Sequence, residues 1–257
     1  MSREKFKRGE FWVEIFFLAL AVVFALLFLL APDNRIIPSL ILPISSGLIV
    51  PSCIIPLRLF KGERIAIIFK LLLLASSLFF IAECIGSICF FFNLKNELCS
   101  FIIGFLMVFG YLVTISSALK MIRFWRIDLF SYKVKLFLNL VLPALIICFI
   151  LTVAINLIFP EIGGRELLFF VGYSFLDIFL VTTSLILLSI FLRMPLISTS
   201  LLYLSLGLIL LSSSDVAYVV ISLLKAEFFY PLIVLGWSYG YMLLALGMIR
   251  HRFPEIP

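Results

Sequence analysis

The strongest constraint on this chain is a repeated run of about 20 apolar residues, a length that crosses a hydrocarbon core about 30 Å thick. Eight such runs follow one another, at positions 11–31, 38–57, 65–91, 101–119, 136–159, 166–192, 199–224 and 229–249. The chain is 64% apolar and only 13% charged, whereas soluble domains have about 45–50% and about 25%. We therefore predict an all-α, polytopic integral membrane protein with eight crossings and no separate water-soluble domain.

Lys and Arg are distributed unevenly among the connections between these runs. One set of alternate connections, with the two terminal segments, holds fifteen of them, and the other set holds four. Cytoplasmic connections are enriched in Lys and Arg, so we expect both termini to be cytoplasmic in a multi-pass protein of the cell membrane. This role in orientation accounts for the net charge of +6, and nucleic-acid binding is not expected.

The two halves of the chain share sequence features. "FGYLVTISSALKMIR" in the fourth run and "YGYMLLALGMIRHR" in the eighth have an aromatic-Gly-Tyr start and a basic end in common. Glu83 and Asp215 each lie late in the run just before. Within one transmembrane domain, 1–257, we therefore predict two parallel four-helix repeats, 1–120 and 135–250, related by an axis along the membrane normal.

Three runs carry a carboxylic acid away from the cytoplasmic interface: Glu83, Asp177 and Asp215. No buried Lys or Arg accompanies them, so we expect the acids to be uncharged, because an unpaired carboxylate at that depth is costly. On a helix, Ser212, Asp215 and Tyr218 recur at three-residue steps and form a polar stripe toward the bundle interior. Such residues act either as interhelical hydrogen-bonding groups or as the lining of a ligand pocket or proton path.

The eighth run offers a similar pair of interpretations. Gly236 and Gly240 are four residues apart, as in close helix packing through small residues, and Trp237 and Tyr241 would form an aromatic wall on the same cavity. An outward-opening cavity follows if the third, sixth and seventh helices adjoin. The candidate ligand-binding residues are Glu83, Asp177, Ser212, Asp215, Tyr218, Trp237 and Tyr241.

Metal and cofactor sites are not expected. Four of the five cysteines lie in apolar runs, no CxxC or Cys/His cluster occurs, and the lone histidine, His251, lies in the basic tail. Cys89 and Cys99 flank the hairpin "FFFNLKNEL" and would be bridged if that loop faces an oxidising compartment. The sequence leaves this pairing open.

The chain resembles the eight-helix membrane-sensing regions at the N-terminus of prokaryotic diguanylate cyclases, phosphodiesterases and histidine-kinase receptors. The resemblance is carried by "GYSFLDIFLVTTSLILL", with Ser174 where that family usually has Pro, and by "GLILLSSSDVAYVVISL" and "FYPLIVLGWSYGYMLLALGMI". In the first half, "FFIAECIG" places Glu83 where an acid is frequent. Only "HRFPEIP" follows the last run, so the usual output domain is not expected in this chain.

The chain is also similar to the eight-helix lysoplasmalogenase-type hydrolases, which have Ser-Asp in a late helix and an acid in an earlier one. This resemblance implies that Asp215 and Glu83 are the general acid and base around a lipid vinyl ether or a similar bond. Here Ala82-Glu83 replaces that family's Gly-Asp motif.

From these patterns we expect a stand-alone membrane sensor or ligand-binding module rather than an enzyme. A small apolar or lipid-like ligand would enter between helices, membrane lipids would surround the bundle, and the basic segment Lys120–Lys135 would signal to a cytoplasmic partner. The alternatives are the hydrolase and a proton-coupled transporter. Homo-oligomerisation is left open.

Overall fold

The computed structural model describes residues 3–31, 34, 36–94, 97–124, 146, 150, 164–193 and 199–250. Its helices are α1 (Arg3–Leu30), α2 (Ile36–Leu59), α3 (Ala66–Phe91), α4 (Glu97–Phe124), α5 (Gly164–Arg193), α6 (Thr199–Leu223) and α7 (Tyr230–Arg250), with a 3-10 turn at Glu227–Phe229. All seven are long and apolar enough to cross a membrane. The all-α, multi-pass architecture is confirmed for these seven; the predicted fifth run, 136–159, lies almost wholly outside the described residues.

Six of the helices form a closed ring. Each packs against the next in the order α2, α3, α4, α5, α6 and α7, and α7 returns to pack against α2. Helix α1 lies outside the ring, mainly against α7 and less extensively against α2. In this order α3 and α6 occupy opposite positions, so the interior of the ring, rather than any single helix pair, brings their side chains together.

Helices α4 and α5 run in the same direction. The Tyr173 hydroxyl of α5 donates to the Gly104 carbonyl near the start of α4 at 2.9 Å. Toward the other end of both helices, Met121 and Leu187 line the same small pocket. All other described neighbours that are consecutive along the chain are joined by short connections and run antiparallel. The end of α4 and the start of α5 therefore lie at opposite ends of the ring.

Glycines allow α6 and α7 to approach closely. A Cβ added to Gly207 would lie 2.9 Å from the Gly240 carbonyl oxygen, and one added to Gly247 would lie 2.9 Å from the Ser200 carbonyl oxygen. Real Cβ atoms do not tolerate such approaches to backbone, so only glycine fits at this seam. In a bilayer, where lipid competes equally for apolar side chains, this close backbone packing is a main source of helix association.

Many hydroxyl groups inside the bundle are satisfied by helix backbone. The Ser45, Ser76 and Thr114 hydroxyls donate to the carbonyl four residues earlier in their own helices. Others connect helices: Ser87 of α3 donates to the Ser39 carbonyl of α2 at 2.6 Å, and Ser117 of α4 donates to the Ile68 carbonyl of α3 at 3.1 Å. Ser87 and Ser117 therefore act as interhelical hydrogen-bonding groups, one of the two roles expected for polar residues inside the bundle.

Arg250 ties α1 to the ring at the end that carries both described termini. Its guanidinium donates to the Glu14 carboxylate of α1 and to the Thr199 hydroxyl of α6 at 2.9 Å. It also lies 5.6 Å from the centroid of the Tyr203 ring. About two turns further along α1, the Tyr239 hydroxyl donates to the Ala21 carbonyl at 3.1 Å. Glu14, within one turn of the predicted interface, is thus a structural ion-pair partner.

The four described cysteines are all free thiols. Cys53 is buried against Ser76. Cys89 and Cys99, which face each other across the α3–α4 hairpin, are within hydrogen-bonding contact but not bridged. The hairpin therefore brings the two thiols together, as the spacing allows.

Candidate functional site

The interior of the ring contains a cavity of about 250 Å³. All six ring helices contribute to its wall, which makes it a property of the assembled ring rather than of one helix pair. Its lining residues are Leu42 of α2; Phe79 and Glu83 of α3; Met107, Tyr111 and Thr114 of α4; Leu180 of α5; Leu208, Leu211, Asp215 and Tyr218 of α6; and Tyr230, Trp237 and Tyr241 of α7.

Two carboxyl groups face this cavity from opposite sides of the ring. Glu83 comes from the last third of α3, and Asp215 comes from the last third of α6. Both lie close enough to the buried Tyr241 to act on its hydroxyl electrostatically. None of the described residues in the lining is Lys, Arg or His, so the polar character of the cavity comes from acids, hydroxyls and one indole.

Each carboxyl group is oriented by an aromatic side chain of α7. The Trp237 indole N–H donates to Asp215 Oδ1 at 2.7 Å, and the Tyr241 hydroxyl donates to Glu83 Oε1 at 3.4 Å, a weak bond by its length. Trp237 and Tyr241 are four residues apart, so they lie on one face of α7. Gly236 and Gly240 lie beside them and pack against Ser214 and Leu211 of α6. Both sequence interpretations of this helix therefore hold at once.

Asp177 and Ser212 are not among the residues that line the cavity. Both are nevertheless buried, at 1% and 0% exposure. Ser212 is one turn from the lining residues Leu208 and Asp215, at the edge of that face of α6. Asp177 lies between Tyr173 and Leu180 on one face of α5, one turn from each, and of the two only Leu180 is part of the lining. Of the three acids, Glu83 and Asp215 are therefore the two that line this cavity.

The Asp177 carboxyl oxygens have no hydrogen-bond partner among the described residues, and the same is true of the Ser184 and Ser212 hydroxyls. Their burial agrees with the expectation that polar residues of the apolar runs face the bundle interior.

The condition that α3, α5 and α6 adjoin is met only for α5 and α6. Helix α3 packs mainly on α2 and α4, because the ring places it opposite α6. The cavity therefore forms across the ring, with α4 and α7 completing its sides.

Sequence reasoning missed several lining residues. Tyr111 was signalled by the aromatic-Gly-Tyr motif of the fourth run, which matches the Gly240-Tyr241 pair of the eighth. Tyr230 begins α7, where a helix start would not be taken as part of an interior site. Phe79, Met107 and Leu180 are apolar residues in apolar runs, so no local pattern separates them from residues that face lipid.

Equivalent positions of the two halves have equivalent surroundings. Glu83 and Asp215 both line the cavity, as do Tyr111 and Tyr241. The glycine before each of these tyrosines packs on the residue four positions before the acid. A Cβ on Gly110 would lie 2.6 Å from the Phe79 ring, and a Cβ on Gly240 would lie 2.6 Å from Leu211 Cγ.

Comparison of the chain with protein-family models, with curated proteins and with solved structures finds no match. The cavity and its residues are therefore the basis for assigning a function.

Proposed function

We propose that this protein is a membrane ligand-binding module that senses a small molecule with an apolar part and a polar group. The observation that carries the proposal is the cavity of about 250 Å³ inside the ring, lined by apolar side chains with Glu83, Asp215 and Tyr241. Ligand sites in proteins are mostly apolar concavities with a few convergent polar groups, and this cavity has that composition.

The size of the cavity supports a ligand rather than close packing alone. Drug-sized ligands occupy about 300–1,000 Å³, so a volume of about 250 Å³ accommodates a smaller molecule or one group of a larger amphiphile. The same space would hold about eight waters at about 30 Å³ each. Acids that acted only as interhelical hydrogen-bonding groups would not require such an opening between them.

The parallel direction of α4 and α5 supports an eighth crossing. Residues 125–163 must connect the end of α4 to the start of α5, which lie at opposite ends of the bundle. Together with the apolar run 136–159, this supports eight crossings. The equivalent surroundings of Glu83 and Asp215, and of Gly110 and Gly240, support two parallel repeats, 1–120 and 135–250.

The charge distribution supports a cytoplasmic location for both termini. The bundle end that carries Arg250 also carries the exposed residues Arg58, Lys61, Lys120 and Arg123, and cytoplasmic ends are enriched in such residues. Under this orientation in the cell membrane, the cavity lies nearer the external side. Lys120–Lys135, of which residues 125–135 lie outside the described part of the chain, would contact a cytoplasmic signalling partner.

A cavity-filling variant tests ligand binding. Protein in native-lipid nanodiscs is analysed by native mass spectrometry, after exposure to a total extract of membrane lipids and small metabolites. Met107→Trp fills the cavity, whereas Phe109→Trp adds the same side chain to the same helix at a position that is 47% exposed. Glu83→Gln keeps the shape of the side chain, so it tests the acid without filling space.

The proposal expects a saturable adduct in the natural protein and in Phe109→Trp, lost in Met107→Trp and weakened in Glu83→Gln. Absence of any saturable adduct, or equal binding by natural protein and Met107→Trp, contradicts it. The signalling part is tested by affinity purification from native membranes in several detergents. A protein partner lost when the basic residues of Lys120–Lys135 are replaced supports it, and no such partner contradicts it.

The shared location of Glu83 and Asp215 supports a second candidate, the lysoplasmalogenase-like hydrolase. One carboxyl group would protonate the vinyl ether while the other removes a proton from the attacking water, giving a hemiacetal that breaks down to a fatty aldehyde and the free glycerophospho alcohol. Incubation with ether and ester lysolipids tests this. Turnover lost in Asp215→Asn supports an enzyme, and no turnover, or turnover unchanged in Asp215→Asn, excludes it.

A further inference from the structure

Three aromatic side chains form a corner in the cavity wall. The Tyr218 and Trp237 ring centroids are 5.5 Å apart, those of Tyr218 and Tyr230 are 6.3 Å apart, and those of Tyr230 and Trp237 are 6.5 Å apart. The three pairs of ring planes are inclined by 54°, 58° and 80°. Rings inclined in this way are not stacked face to face on one another, and all three side chains line the same cavity.

This corner lies where the cavity meets its surroundings. Tyr218 and Tyr230 are 40% and 36% exposed, the first near the end of α6 and the second at the start of α7. Trp237, two turns into α7, is half-buried and forms the inner side of the corner. The corner shares this cavity with Glu83.

Ring faces and carboxyl oxygens give the corner partial negative charge. Aromatic faces carry the negative part of the ring quadrupole. The Trp237 edge donates its N–H to Asp215, which fixes the indole with its edge toward the acid, and Glu83 lines the same cavity. No Lys, Arg or His occurs among the described lining residues. An anionic ligand group would find no counter-charge here.

We propose that the aromatic corner of Tyr218, Tyr230 and Trp237, together with Asp215, binds an organic ammonium group, with preference for a quaternary ammonium ion. Aromatic cages recognise such ions because the cation is attracted to ring faces without needing hydrogen bonds. The inference deepens the proposed ligand-binding function and depends on it, since it names the charge of the molecule that enters.

A metal ion fits the corner less well. Ca²⁺ and Mg²⁺ are bound by six or more oxygen ligands, and the described residues contain no group of three or more His, Cys, Asp or Glu that could hold a metal. The wall beyond the corner is formed by Phe79, Leu180 and Leu211. This suits the short apolar stem of an organic cation and not a hydrated ion.

The test compares choline with 3,3-dimethylbutan-1-ol, in which a carbon replaces the charged nitrogen and the shape is kept. Binding to the full chain in nanodiscs is measured by titration calorimetry, with tetramethylammonium as a second cationic probe. We expect saturable binding of both cations. The neutral alcohol is expected to bind at least about tenfold more weakly, because loss of a desolvated cation–π contact lowers the affinity by about that factor.

Variants assign the effect to the corner. Tyr230→Phe keeps a ring and should retain choline binding, whereas Tyr230→Leu removes a ring face and should weaken binding by about 3- to 30-fold. Phe228→Leu is the matched control. Phe228 lies two residues from Tyr230, is 86% exposed and is not part of the cavity lining, so this change should leave the affinity unaltered.

The outcomes separate this inference from the proposed function. Equal binding of choline and the neutral alcohol, or unchanged choline affinity in Tyr230→Leu, overturns the assignment of a cation. If neither cation binds while the extract gives an adduct that Met107→Trp removes, the cation inference fails alone and the ligand-binding function stands. If the extract also gives no adduct, both fail.

Discussion

Replacing glycine by alanine at the seam between α6 and α7 should destabilise the bundle in proportion to the overlap that the structure predicts. In Gly240→Ala, the new Cβ would lie 2.6 Å from Leu211 Cγ and 3.1 Å from the Gly207 carbonyl oxygen. Non-bonded carbons prefer about 3.5–4.0 Å, so Leu211 or the whole helix must shift by about 1 Å. Leu211 is buried in the cavity wall and the oxygen belongs to a helix backbone, so neither yields freely.

The expected cost is that of overpacking a well-packed core, about 1–3 kcal/mol. This corresponds to a change of roughly 5- to 150-fold in the unfolding equilibrium constant. Gly207→Ala should cost a similar amount, because its Cβ would lie 2.9 Å from the Gly240 carbonyl oxygen. The double variant should cost less than the sum, since the first substitution already separates the helices at the point where the second would clash.

The assay is unfolding of purified protein in mixed micelles by increasing sodium dodecyl sulfate, followed by circular dichroism. Gly172→Ala and Gly86→Ala are matched controls. A Cβ at Gly172 would have no atom within 4 Å, and one at Gly86 would have its nearest contact at 3.9 Å. Both control substitutions should leave the unfolding free energy unchanged or raise it by up to about 1 kcal/mol, because alanine has a higher helix propensity than glycine. Seam variants as stable as these controls would refute the close approach of α6 and α7.

Three further outcomes follow from single contacts. Arg250→Leu removes the ion pair with α1 and the hydrogen bond to α6 that hold α1 on the ring. It should lower the unfolding free energy by about 1.5–3 kcal/mol and make α1 more accessible to limited proteolysis. An unchanged rate of proteolysis contradicts this. Trp237→Phe loses the donor to Asp215 but keeps the ring, and should cost only about 0.6–1.7 kcal/mol in the same unfolding assay; a larger loss would mean that the indole does more than bind the acid. Mild oxidation by copper phenanthroline should link Cys89 to Cys99 within one chain, read by mass spectrometry of the digested protein; a different pairing would contradict the described hairpin.

The helices are predictable because each one corresponds to a single continuous apolar run in the sequence. A run of about 20 apolar residues must be a helix in lipid, where every backbone group needs an internal partner. Seven of the runs correspond to described helices, with boundaries within a few residues except where segments that contain polar residues extend α1 and α4. The apolar runs predict helices because of the lipid environment, and not because of the intrinsic helix propensity of their residues.

The site was predictable only where polar residues interrupt apolar runs. Glu83, Asp215, Trp237 and Tyr241 stand out for that reason, and all four line the cavity. Asp177 stands out equally but is not part of the lining, because packing against neighbouring helices decides which polar residues reach the cavity. Spacing along one helix gives the residues that share a face, and the ring order that decides which face points inward is a long-range property.

One face of α6 lines a cavity between the ring helices, and the proposed function depends on this arrangement. Accessibility of single cysteines tests it most directly, in a chain whose five natural cysteines are replaced, using a charged methanethiosulfonate reagent in proteoliposomes. Cysteines at the lining positions 211, 215 and 218 should react, whereas those at Leu206 and Val220, which are 37% and 42% exposed on the lipid side, should not. Equal protection at 211, 215, 206 and 220, or faster reaction at 206 and 220, would contradict the cavity.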